Sequence, residues 1–186
     1  KLDGSCTLMV KDNSKTFSDV PDNYWGKDAI AFVTARELFN GISDDQFAPA
    51  APMTRAMLVT VLHRLEDTPA AKADAAFPDV DAAAWYADAV AWASGNGIVT
   101  GTGSGFEPDG QITREQLATI LYRYADFLGL DTSAAGALSQ FSDGDKVSAW
   151  AEEAMQWAVG SGLLTGNATR AEVAAILQRM VAMMVK

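Results

Sequence analysis

The chain repeats itself three times. Phe17-Ser18-Asp19-Val20, Phe77-Pro78-Asp79-Val80 and Phe141-Ser142-Asp143-Gly144 align, and a tryptophan follows each: Trp25 and Trp85 after eight residues, Trp150 after nine. From the tryptophans the register runs on without a gap through Asp28, Asp88 and Glu153, then Ala29, Ala89 and Ala154. Sixteen residues past each tryptophan stands a glycine, Gly41, Gly101 and Gly166. Units of this size cannot bury an apolar face alone, but stacked copies share a core.

Within each copy, apolar residues between tryptophan and glycine recur at helical spacing, as in Trp25, Ala29, Phe32, Val33 and Leu38. Asp22 or Asn23 is placed to cap the first such helix, and the glycines suit the left-handed position that closes one. A loop follows, marked by Phe47-Ala48-Pro49 and Phe106-Glu107-Pro108. Thr54-Arg55, Thr113-Arg114 and Thr169-Arg170 then open a second helix. Its apolar stripes are Leu58, Val61, Leu62 and Leu65; Leu117, Ile120, Leu121 and Tyr124; Val173, Ile176, Leu177 and Met180. Thr113 with Gln116 and Thr169 with Glu172 form capping boxes, whereas copy one has Met57 at that place and an incomplete cap. The prediction is an all-α fold of three helix–loop–helix repeats, at 17–66, 77–129 and 141–185, joined by alanine-rich linkers. Residues 1–16 fall outside the repeat, as a tail or the end of an upstream domain, with 6–11 as its last strand.

A formal charge of −10 argues against nucleic acid, since phosphate binding needs a net basic face. It also argues against adhesion to anionic membranes, and the apolar run at 180–185 is too short to span one. The single cysteine, Cys6, rules out an internal disulfide framework. The chain begins at Lys1 without a leader, and is expected to be a piece of a longer protein.

The arginines after the capping threonines carry the chemistry. Arg55, Arg114 and Arg170 fall in the first helical turn, where positive charge opposes the helix dipole at a cost of roughly 0.3–1 kcal/mol. A guanidinium beside free backbone N–H groups is a way to hold a carboxylate or phosphate. The alternative is an internal ion pair with Asp19, Asp79 or Asp143, and chemistry alone leaves both open. Arg64, Arg123 and Arg179 come nine residues later, at the favourable end of the helix dipole, and need no ligand to explain them.

Trp25, Trp85 and Trp150 offer faces for stacking on sugar rings, yet Trp85/Trp92 and Trp150/Trp157 are seven apart, which is core spacing. Phe32, Trp92 and Trp157 are assigned to the core. Gly41 and Gly101 are helix terminators that also let a ligand approach the backbone. No metal is expected: Asp44-Asp45 and Asp143-Gly144-Asp145 lack the calcium-loop spacing. No phosphate loop is expected at residues 101–105, because no Lys-Ser/Thr follows. No catalytic residue stands out either, since the one histidine, His63, is replaced by Tyr122 and Gln178 in the other copies.

Three units with Phe-x-Asp-Val, a following tryptophan, a glycine, a Phe-x-Pro loop and Thr-Arg-Ala-Glu, complete at Thr169-Arg170-Ala171-Glu172, resemble the S-layer homology (SLH) domain over residues 17–185. The resemblance implies a pseudo-threefold spindle around a central three-helix bundle, with grooves between repeats. It implies a non-catalytic, cofactor-free module on the cell surface that binds secondary cell-wall polysaccharide, often pyruvylated, through the arginine of Thr-Arg. The ligand set carried over is Arg55, Arg114 and Arg170 with Asp19, Asp79, Asp143, Trp25, Trp85, Trp150, Gly41 and Gly101. A protein–protein module without a glycan ligand is the alternative. The family pattern breaks once: between glycine and threonine, copies one and two have twelve and eleven residues, but copy three has only Asn167 and Ala168. The expectation is that Arg170 loses the wall above it, leaving Arg55 and Arg114 as the strong sites.

Overall fold

The computed structural model describes residues 13–71, 77–164 and 169–185, so the strand expected at 6–11 and the glycine at 166 lie outside the described residues. Among these, six α-helices and no β-strand form: α1 Lys27–Ala35, α2 Arg55–Leu65, α3 Ala87–Gly95, α4 Arg114–Phe127, α5 Glu152–Gly160 and α6 Arg170–Met184. Two short 3-10 turns, Leu138–Gln140 and Gly144–Lys146, precede α5. The second of them takes up the extra residue by which Trp150 lags the other tryptophans.

Helix pairing crosses the repeat boundaries. α2 packs on α3, α4 on α5, and α6 back on α1. The second helix of each copy therefore covers the first helix of the next, and the last copy closes on the first. This cyclic order is why one copy is not a folding unit: its two helices find their partners in other copies. A single cluster of buried apolar side chains draws on all three, including Val33, Leu58, Leu62, Leu117, Leu121, Tyr124, Trp157 and Leu177. Tyr124 reaches across to donate to Glu66 Oε1 at 2.5 Å, tying α4 to the end of α2.

The second helices start where the threonines predict. Thr54 accepts from the Met57 N–H but gets no reciprocal bond, while Thr113/Gln116 and Thr169/Glu172 are complete capping boxes. Copy two replaces the alanine of Thr-Arg-Ala by Glu115, whose carboxylate accepts from both N–H and hydroxyl of Ser148, at 2.7 and 3.0 Å. That bond ties the start of α4 to the turn ahead of α5.

The first helices are shorter than expected. α1 starts at Lys27, with Gly26 at the cap position and no side-chain cap; Asp22 instead pairs with the Lys27 ammonium. Trp25 therefore sits in the turn before the helix and is not part of its apolar stripe. The helices also end before Gly41 and Gly101. The left-handed residue that closes each is Glu37, Gly97 or Gly162, at φ 58°, 74° and 67°. Behind it, Leu38, Ile98 and Leu163 donate back to Val33, Ala93 and Ala158, the bond of a Schellman motif.

Candidate functional site

The loops between helices are built around the repeated aspartates. Asp19 accepts from the N–H groups of Phe47 and Ala48 at 2.9 and 2.7 Å, and Asp79 from those of Phe106 and Glu107 at 2.8 and 2.7 Å. Ala48 and Glu107 are both held at φ 57°, a left-handed conformation that side chains disfavour and the carboxylates hold in place. The loop rings pack on the first phenylalanine of the repeat, Phe47 on Phe17 and Phe106 on Phe77, with centroids 5.5 and 5.6 Å apart. Gly41 and Gly101 are needed because the chain passes so close. A Cβ at Gly41 would lie 2.3 Å from Ser43 O, and one at Gly101 2.7 Å from Gly105 O and from Phe77 Cε1.

Each loop then docks on the second helix of another copy. Arg55 Nε donates to Phe106 O at 2.7 Å, and its guanidinium stands 4.8 Å from the Phe106 ring. Arg170 repeats this with copy one: Nε donates to Phe47 O at 2.8 Å, Nη2 to Asn40 O at 2.7 Å, and Phe47 lies 4.5 Å away. The backbone N–H groups of Arg55 and Ala56 donate to Gly110 and Pro108, and those of Arg170 and Ala171 to Ala51 and Pro49. At these two helix starts the N–H groups expected to be free for an anion are taken. The ion-pair alternative does not hold either. Among the described residues the one ion pair within 4 Å is Lys27–Asp22, and the aspartates organise the loops instead.

This order corrects the expectation about the third copy. Arg170 has its wall, supplied by copy one, and is only 6% exposed. By the same order the loop missing from copy three belongs over Arg114. Arg114 Nε is buried and has no hydrogen-bond partner among the described residues.

Arg55 borders a cavity of about 420 Å³ to which all three copies contribute. Gly101 and Thr102, Gln116 and Arg123 of α4, and Trp150 of copy three line it with Arg55. Burial pushes the Arg55 guanidinium below its ordinary range, while the charges of Glu107 and Asp79 push it back. Two arginines and an exposed indole thus line one space together with the hydroxyls of Thr102 and Thr119 and the amide of Gln116.

Trp25, Trp85 and Trp150 are 62%, 64% and 60% exposed, which rules out the core reading that their spacing offered and leaves their faces open. Trp92 and Trp157 are buried as expected, whereas Phe32 is half-buried under the Arg36 guanidinium, 3.6 Å from its ring. Trp85 lines a second cavity, about 830 Å³, with Thr60 and Arg64. Arg114 and Asp143 line a third, about 160 Å³. Trp25 stands beside Tyr24, centroids 5.7 Å apart. Arg123 was not anticipated in the cavity, because the helix dipole already accounted for it. It is held there by a bond from Nη1 to the Thr100 hydroxyl, 3.1 Å. Arg64 and Arg179 instead donate to Leu38 O and Leu163 O of their own copies, both at 3.1 Å. No helix among the described residues is long and apolar enough to cross a membrane, and among them no three His, Cys, Asp or Glu side chains cluster for a metal.

Three segments, residues 16–56, 76–118 and 140–174, match the S-layer homology domain. The chain is 34% identical over 173 residues to an amylopullulanase of Thermoanaerobacterium thermosulfurigenes, covering 88% of this chain and 9% of that protein. It is 32% identical over 186 residues to the exoglucanase XynX of Acetivibrio thermocellus, 95% of this chain and 17% of the relative. The S-layer protein sap of Bacillus anthracis is 32% identical over 155 residues, 82% of this chain and 18% of the relative. The chain thus spans less than a fifth of the length of each.

Proposed function

Because the chain belongs to the S-layer homology family, we propose that it is a non-catalytic anchor holding a longer extracellular protein to secondary cell-wall polysaccharide. The observation that carries this reading is the cavity shared by Arg55, Arg123 and Trp150. An acidic sugar, such as one bearing a pyruvate ketal, matches it: its carboxylate meets the guanidiniums, its hydroxyls meet Thr102 and Gln116, and its apolar face lies on the indole. A cavity walled by protein strengthens such contacts relative to open water. The relatives support the role, since S-layer proteins and polysaccharide-degrading enzymes share this region and the two enzymes match over only 9% and 17% of their lengths. A segment common to proteins of such different activity fits attachment better than catalysis. The cyclic pairing of α1 with α6, α2 with α3 and α4 with α5 fits the spindle that the family suggests.

The ligand set proposed is Arg55, Gly101, Thr102, Gln116, Arg123 and Trp150. Arg170 is a weaker contact for the glycan, because Asn40 O already takes one of its terminal nitrogens, and Trp85 offers its indole to a separate cavity beside Thr60 and Arg64. Asp19 and Asp79 act through the loops they hold and not by touching the glycan. Sedimentation of the protein with purified, protein-free cell walls tests the proposal. Binding that is retained on walls and lost after removal of the polysaccharide supports it; failure to bind stripped walls, with retention on native surfaces, points to a protein partner.

A further inference from the structure

Copies one and two show what a complete loop site contains, and copy three keeps the site while lacking the loop. In each complete copy the aspartate takes two backbone N–H groups, a phenylalanine ring packs on the repeat's first phenylalanine, and that residue's carbonyl accepts from an arginine Nε of another copy. In copy three the receiving groups are present as Asp143, Phe141 and Arg114. Among the described residues, Arg114 Nε is buried without an acceptor, no ring packs on Phe141, and no hydrogen bond reaches the Asp143 carboxylate. All three border one cavity of about 160 Å³, whose remaining walls include Leu138, Val147 and Met155. A cavity of about 150 Å³ is enough to take a benzene ring.

We propose that this cavity is a loop socket that takes up an extended peptide segment carrying an aromatic side chain, supplied by a partner polypeptide. The occupant follows from the two filled sites. Its ring enters against Phe141, its carbonyl accepts from Arg114 Nε, and its own N–H and that of the following residue donate to Asp143, as Phe47 and Ala48 do to Asp19. The lining carries no net charge to attract an acidic glycan, since Arg114 and Lys146 are offset by Asp143 and Glu115, whereas a peptide is held by its backbone and its ring. A buried donor without a partner is costly, so a segment that supplies its acceptor is favoured beyond the apolar contact. This inference does not rest on the glycan reading, since it concerns a different cavity.

The chain supplies its own probe, a peptide of residues 102–112, which carries Phe106 in the loop of copy two. Calorimetric titration of the full chain with this peptide should show saturable binding at one site. Binding should weaken at least about tenfold when the peptide carries Phe106→Ala or the protein carries Asp143→Asn. A second variant, with residues 102–112 grafted in place of Asn167 and Ala168, should melt at a higher temperature and no longer bind the peptide. Absence of saturable binding, equal binding by the Phe106→Ala peptide, or peptide binding that survives the graft would overturn the proposal. Displacement of the peptide by wall polysaccharide would also overturn it, assigning the socket to glycan.

Discussion

Arg170 Nε donates to the carbonyl oxygen of Phe47, 123 residues earlier, and this bond joins the last copy to the first. The same guanidinium donates to Asn40 O and lies against the Phe47 ring. Arg170→Ala is therefore a stability mutation before it is a binding one. It should cost about 2–4 kcal/mol in chemical denaturation, since it leaves buried carbonyls without a charged donor. Arg114→Ala, which breaks no bond to a loop, should cost no more than about 1 kcal/mol.

Cyclic closure makes a second prediction. Deleting residues 130–186 removes α5 and α6, so α4 and α1 lose their partners and the loop at 47–53 loses the helix it docks on. The remainder should show no sharp thermal transition in circular dichroism. A sharp transition at an unchanged midpoint would mean that copies one and two form a complete core between them.

The two classes of glycine separate in a third experiment. Gly41→Ala drives a methyl group against Ser43 O and Gln46 O, backbone atoms that cannot swing away, and should cost more than about 2 kcal/mol. Gly97→Ala meets nothing within 4 Å and adds only left-handed strain, about 1 kcal/mol, a conformation Glu37 already accepts in copy one. Equal losses at both positions in urea denaturation would contradict this account of the close approach.

Much of this was legible in the sequence because repetition supplied an internal alignment. The Thr-Arg helix starts, both capping boxes and the stripes of α2, α4 and α6 followed from spacing alone. The core reading of Trp25, Trp85 and Trp150 fails because heptad spacing presumes a helix, and the chain at Trp25 is still in a turn. Gly41 and Gly101 were misread as terminators because a close approach to a loop carbonyl has no local signature. The exchange of loops between copies, which moves the missing wall from Arg170 to Arg114, was not readable either, since spacing within a repeat does not reveal which copy it docks on.

The loop-holding carboxylate gives a pH dependence. Two backbone N–H bonds, from Phe106 first and then Glu107, hold Asp79 below the ordinary aspartate value of 3.8. With the folded value below the unfolded one, its contribution is fully present above the unfolded value and is lost as pH falls through the folded one. The melting temperature should therefore fall more steeply below about pH 4 in the parent chain than in Asp79→Asn, which is destabilised already at neutral pH. Parallel curves would mean that the carboxylate charge does not hold the loop.

Trp150 is the cleanest handle on the cavity it borders with Arg55 and Arg123, the proposed seat of the wall polysaccharide. The indole is 60% exposed, so Trp150→Ala can remove a ligand contact with little effect on the core. Calorimetric titration with a defined fragment of secondary cell-wall polysaccharide should show affinity falling about tenfold in Trp150→Ala at unchanged melting temperature. Trp25→Ala, outside this cavity, should bind like the parent. Undiminished affinity in Trp150→Ala, or an equal loss in Trp25→Ala, would contradict the assignment of the glycan to this cavity.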